Sequence, residues 1–140
     1  MTTDPSLALQ AAIRERLIGT PAVLDLVPAA HIRDGGTRPD KFPTIILGDG
    51  QTVLGGYYPG RRNVTVYLDL HVWAIEDGLA AVKAIAHAIS EALVAPLTVP
   101  GYLLSDGVHV TATRYMRDPS EKHGHGVLSV EAFMSGEFGE

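Results

Sequence analysis

The sequence predicts an α+β domain: an antiparallel sheet of about four to five strands with two main helices packed on one face. Three observations predict it. Asn63 to Ala74 alternates strictly. Val64, Val66, Leu68, Leu70, Val72 and Ala74 fall on one side of an extended chain, and Asn63, Thr65, Tyr67, Asp69, His71 and Trp73 on the other. Beyond Glu76, Asp77 and Gly78 the period changes, and Val82, Ile85, Ala86, Ile89 and Leu93 recur at helical spacing. Two further alternating stretches, Val108–Met116 and Gly126–Met134, follow and should pair as a hairpin. Helix, strands, helix, strands is the order of a helical layer on an antiparallel sheet.

The first helix opens at Asp4 and Pro5, a capping side chain followed by a proline where the N–H has no partner anyway. Leu9, Ile13 and Leu17 form its apolar stripe, with Leu7 and Ile18 beside it and Arg14, Glu15 and Arg16 off the core side. Gly19 suits a left-handed stop. Thr20 and Pro21 repeat the start signal, so a short helix should run to about Val27, ended by Pro28. His31–Asp34 reads as a short extended piece. Thr44–Leu47 is a brief apolar run between proline and glycine, read as a buried strand. Gly48–Arg62 is rich in glycine and is expected to be a hairpin connection whose tip is long and mobile. In the central helix Asp77 is the expected cap and Pro96 the stop. Leu97–Gly107 reads as a loop carrying a short apolar piece, and Arg117–Gly124 as a polar connection.

The 140 residues suit one domain, spanning 1–140, and 46% hydrophobic residues are enough for a core. There is no cysteine, which excludes a disulfide scaffold and thiolate zinc sites and fits an intracellular folding compartment. No apolar run approaches the roughly 20 residues of a membrane helix. The N-terminus lacks a basic start and apolar segment, so no leader is expected. A net charge of -5 argues against broad binding to a phosphate backbone, though not against an acidic wall that DNA slides past.

Candidate chemistry is thin. The glycines at 48, 50, 55 and 56 lack the Gly-Lys-Ser/Thr ending of a phosphate loop and open no helix. No serine sits in a Gly-x-Ser-x-Gly elbow. Glu76 and Asp77 read better as a helix start than as paired catalytic carboxylates. His123 and His125 share a strand face, Asp69 shares one with His71, and His109 could approach His71 from a neighbouring strand. A zinc or iron site needs three or four converging ligands with second-shell support, and this spacing is generic. We expect no catalytic residues, no cofactor and no metal. Trp73, on a sheet face with Tyr67, has three readings: core under a helix, a ligand platform, or an anchor at a subunit interface. Arg61 and Arg62, with Tyr57 and Tyr58 in the same glycine-rich connection, read either as solvated charge or as part of a loop that reaches a neighbouring subunit or a DNA channel. These six residues are the interface candidates.

The chain resembles the tail completion, or tail terminator, family of long-tailed phages, prophages and gene transfer agents (DUF3168). The features are the helix Leu7–Leu17, the His31–Asp34 piece, and the run from Phe42 and Pro43 through Leu47 to Gly48. Then come Leu68–Trp73, the Ala-rich helix Leu79–Leu93, and Arg117 and Asp118 before the last strand, Gly126–Phe133. The resemblance covers nearly the whole chain, and its specificity lies in the order of these features. Thr44 stands where the family often has an aromatic, and the segment Pro119–His125 is longer and carries histidines. The resemblance implies a virion protein, assembled in the bacterial cytoplasm, that forms a homo-hexameric ring at the head-proximal end of the tail tube. There it would stop tube polymerisation and join tail to head. Its partners would be its own copies, the major tail tube protein and a head–tail connector or stopper. DNA would cross the lumen without specific binding, and no membrane is involved. The competing reading is a small cytoplasmic enzyme or ligand-binding domain using the Asp69/His71 sheet face with His109. A head-side connector role shares the ring logic at a different joint.

Overall fold

The computed structural model describes residues 3–35, 39–58, 61–75, 79–118 and 122–137; the side chains at 56–58, 61–62, 118 and 137 are outside that description. The elements are α1 (Pro5–Ile18), α2 (Pro21–Leu24), β1 (Ile32–Asp34), β2 (Thr44–Tyr58), β3 (Arg61–Ile75), α3 (Ala80–Ala92), β4 (Tyr102–Asp118) and β5 (His123–Glu137). The fold is α+β. The five strands form one sheet in the order β1-β2-β3-β5-β4. The sheet is mostly antiparallel, but β1 runs parallel to β2, with Ile32 opposite Ile45. The expected antiparallel sheet is what forms, with this short edge strand as its parallel addition. A three-residue strand carries no local sign of its direction.

β3 is the centre. It pairs with β2 on one side and with β5 along its whole length on the other. Its predicted dry face is dry: Val66, Leu70 and Val72 are fully buried, with Val64, Leu68 and Ala74 beside them. From β5, Leu128, Val130, Ala132 and Met134 extend the same apolar floor. α1 sets Leu9, Ile13 and Leu17 on it, and α3 sets Val82, Ile85 and Ile89. The predicted stripes are therefore the ones used. Gly126 explains how closely α3 approaches. A Cβ there would lie 2.8 Å from Val82 Cγ1, so only a glycine lets this helix rest on β5.

The strands are longer than their alternation suggests. The expected hairpin forms, but the strands take up most of Gly48–Arg62: β2 continues to Tyr58 and β3 begins at Arg61. The glycines serve the ladder. A register shift lies between Leu47 and Gly50, and a Cβ on Gly50 would lie 2.4 Å from the Tyr67 carbonyl oxygen. Bulges of this kind let pairing pass through a sequence that reads as loop. Likewise β4 starts at Tyr102, inside the expected loop, and absorbs Ser105–Gly107 as an irregularity between Leu104 and Val108. Gly107 has φ +75°, a left-handed conformation suited to glycine. The expected polar connection 117–124 shrinks at both ends, since β4 reaches Asp118 and β5 starts at His123.

The helix ends follow local chemistry, with two corrections. Asp4 caps α1 as expected, its carboxylate accepting from the Leu7 N–H at 3.0 Å. Gly19 has φ -95° rather than a left-handed backbone, and the Thr20 hydroxyl donates to the Arg16 carbonyl at 2.6 Å instead. α2 is a single turn ending at Leu24, and Val27 N–H still bonds back to Val23 O at 2.9 Å. The expected cap Asp77 lies outside the described residues, and α3 starts behind Leu79. Its other end is closed from a distance. The Arg16 guanidinium donates to the carbonyls of Ala92 at 2.8 Å, Ala95 at 3.0 Å and Pro96 at 2.7 Å. A planar, charged fork satisfies carbonyls that a helix end leaves without partners.

Removing this fork tests the link. Arg16→Ala should destabilise the chain by about 2 kcal/mol, the scale of hydrogen bonds to a charged donor. Arg16→Lys should recover less than half of the loss, because an ammonium cannot span three carbonyls. Urea denaturation with an unchanged m-value would confirm both; wild-type stability in Arg16→Ala would refute the link.

Candidate functional site

The face of the sheet away from the helices carries the side chains that the core does not use. Register assigns them to rows. Thr44, Trp73, His125 and Met116 lie across β2, β3, β5 and β4 in one row, and Ile46, His71, Val127 and Arg114 in the next. Further along come Gln51, Tyr67, Glu131 and His109, then Val53, Thr65 and Phe133. The face has two zones.

The first is an aromatic–histidine ladder. The Trp73 ring stacks on His125 at 3.9 Å between centroids with a 12° interplanar angle. His125 Nε2 lies 3.0 Å from His71 Nδ1, and the two imidazoles are nearly parallel at 5.2 Å. Phe42 stacks on His123 at 4.4 Å, holding the start of β5 to the segment that leads into β2. Ile46 and Val127, on either side of His71, are 5% and 2% exposed, so the ladder stands on a dry floor. Gly48 completes the seat. A Cβ there would meet His71 at 2.6 Å from Cδ2 and 2.9 Å from Nε2.

The second zone is apolar and open. Tyr67 is 41% exposed, Val53 42% and Phe133 49%, all on neighbouring positions of the same face. Leu103, opposite Ser135, is 64% exposed and extends the patch toward the β4 edge. Burying each of these would be favourable, since apolar surface leaves water at about 25 cal/mol per Å².

The candidate residues are therefore sorted as follows. Tyr67 and Trp73 both face out from β3, but Trp73 is already half-covered by His125. Tyr57, Tyr58, Arg61 and Arg62 pair by backbone at the far end of the β2–β3 hairpin, and their side chains lie outside the described ones. His109 does not reach His71. It sits on β4 opposite Glu131, with β5 between it and β3, and its Nε2 is 3.3 Å from Asp106 Oδ2. His71 turns to His125 and not to Asp69. Among the described residues no group of three or more His, Cys, Asp or Glu could hold a metal ion. An open groove of about 810 Å³ lies between the end of α3 and β4, lined by Val94, Leu97, Leu104 and Val108 among others; it does not include His71 or Asp69. Phe133 and Leu103 were not singled out from the sequence. Phe133 falls out of phase with the buried set of β5, which is a readable signal; Leu103 sits in a stretch that reads as loop.

Fold and face together define a class of small α+β protein whose broad open feature is a sheet surface. The chain belongs to the family described as tail completion protein gp17, whose model matches residues 11–135. It is thus a structural protein of a phage-type tail, and its place is in the virion tail. Its fold is similar to that of a chain in the virion of a native gene transfer agent (GTA) particle, with a TM-score of 0.82 and 23% identity over 96% of this chain and 100% of that one. No curated protein matches.

The ladder is testable through its glycine. Gly48→Ala should dislodge the His71 ring, lower stability by about 1–3 kcal/mol as overpacking does, and shift the emission of Trp73, the one tryptophan of the chain. Unchanged emission and melting temperature would show that the ring does not depend on this glycine.

Proposed function

We propose that the chain is the tail terminator of its particle. Six copies close into a ring on the head-proximal end of the tail tube, end its polymerisation and join tail to head. The family match over residues 11–135 carries this reading. The open sheet face supports it, because a terminator works by docking and needs surface rather than reactive groups. A ring requires a heterologous interface, one patch meeting a different patch on the next copy. Tyr67, Val53 and Phe133 supply one exposed patch, and the β2–β3 hairpin that carries Tyr57, Tyr58, Arg61 and Arg62 is a candidate for the other. The partners are further copies of the chain, the tail tube protein and a head–tail connector. The net charge of -5 suits a lumen that DNA crosses without being gripped. The protein acts without catalysis: the Asp69, His71 and His109 set that an enzyme reading would use is split across the sheet.

Sedimentation and negative-stain microscopy with purified tail tube protein test the reading. Ring-sized particles and capped tubes are expected. Tyr67→Asp combined with Phe133→Asp should leave the chain monomeric while its melting temperature stays within a few degrees. Monomers alone in the wild type, even with tube protein present, would sink the proposal.

A further inference from the structure

The sheet ends in two open edges. Among the described residues β1 covers only Ile45–Leu47 on the outer side of β2, which leaves Gly48–Tyr58 with no strand there. At the opposite edge β4 is the last strand, and nothing pairs beyond it apart from the bridge of Val99 to Tyr102. Open strand backbone of this length is a template for another strand. We propose, on the ring reading above, that the outer edge of β2 in one copy adds to β4 of the next, so that one sheet runs across the contact between copies.

Strand direction allows this. β2 is antiparallel to β3, β3 to β5 and β5 to β4, so β2 and β4 run in opposite directions. A rotation about an axis lying along the strands keeps those directions. The β4 edge of one copy then meets the β2 edge of the next antiparallel, the commoner kind of pair. One edge meets a different edge, as a closed ring requires.

Side chains point to one register. Asp49–Gly55 is strand, yet every residue in it is exposed. Leu54 lies opposite Val64, on the helix side of the sheet, and is still 71% exposed. The groove of about 810 Å³ lies between α3 and β4, lined by Leu104, Val108 and Val110, and by Val94, which is 77% exposed. Placing Leu54 opposite Val108 of the next copy sinks it into that groove and covers Val94. The rest follows once the irregularity at Thr111 is passed. Val53 meets His109, Thr52 meets Val110 and Gln51 meets Ala112, and the two members of each pair share a face.

Asp49 then arrives at Arg114. Asp49 sits in the β2 bulge beside Asp69, a like charge, and Arg114 stands opposite Val127 on the face away from the helices. Neither Asp49 nor Arg114 has an ion-pair partner among the described residues. Opposite charges facing across strands favour pairing. At the other end the pairing carries Tyr57 and Tyr58 toward Leu103, beside Phe133. The hairpin and the exposed patch of the ring reading thus meet in a single contact. The bulge at Thr111 and the charge on Arg114 work against a strand arriving in another register.

The chain has no cysteine, so introduced pairs report without background. Val53 and His109 lie on opposite edges of one copy with β3 and β5 between them, too far apart for a disulfide within the chain. The full chain carrying Val53→Cys and His109→Cys, assembled with tail tube protein and oxidised with diamide, should give a ladder of covalent multimers on non-reducing gels. Either cysteine alone should give none, because 53 meets 109 and not itself. Val53→Cys with Leu103→Cys, off register on the same face, should give no more than the single variants. Asp49→Arg and Arg114→Asp, both at exposed positions, should each lower the fraction sedimenting as rings about tenfold, since the repelling pair recurs at every contact. Combining the two should restore it. Rings without the ladder, an equal ladder from the off-register pair, or a double reversal as weak as either single one overturns the strand contact and leaves the ring reading standing. Monomers alone in the wild type, with tube protein present, overturn both.

Discussion

The structure depends on one constraint: β3 must keep a single face dry. Its side chains alternate, so a one-residue slip against either neighbour would move Val66, Leu70 and Val72 to water and bring Asp69 and His71 into the core. That penalty pins two interfaces at once, because β3 is paired on both sides. The helices then have only one place to go. α1 and α3 each carry a stripe that must leave water, and the floor made by β3 and β5 is the apolar surface that receives them.

Length follows from the same constraint. Once β3 is held in register over 15 residues, its neighbours gain hydrogen bonds by pairing along all of it. β2 therefore runs through Gly48 and Gly50 by means of a bulge, and β4, paired with the equally long β5, runs through Ser105–Gly107 in the same way. The bulges also disturb the β4 edge, where Asp106, Arg114 and Arg117 add charge. An edge of this kind discourages uncontrolled strand addition, which matters for a protein that belongs in an ordered assembly.

With the helices committed to one face, the other is left to whatever lies outside the subunit. This separates stability from recognition. The covered face holds the fold, and the open face can carry exposed Tyr67 and Phe133 beside a ladder of stacked rings without loss to the core. A tail protein of the completion family has such a need, since its work is to meet other chains. The two zones also differ in stiffness. The Trp73 end is anchored by stacking and by buried Ile46 and Val127, whereas the Tyr67 end is open apolar surface.

The sequence alone determined the elements whose signal is local. Alternation placed the dry face of β3, the change of period placed α3, and Asp4 with Pro5 placed the start of α1, because each depends on residues within a turn or a few pleats of one another. Tertiary structure decided what depends on partners far along the chain. Strand order, the parallel edge at β1, the passage of β2 through its glycines and the Arg16 fork on α3 are all of this kind. So is the meeting of His71 with His125, 54 residues apart in sequence. Spacing along a chain describes which way a side chain points, but which other side chain it meets is set by register between strands.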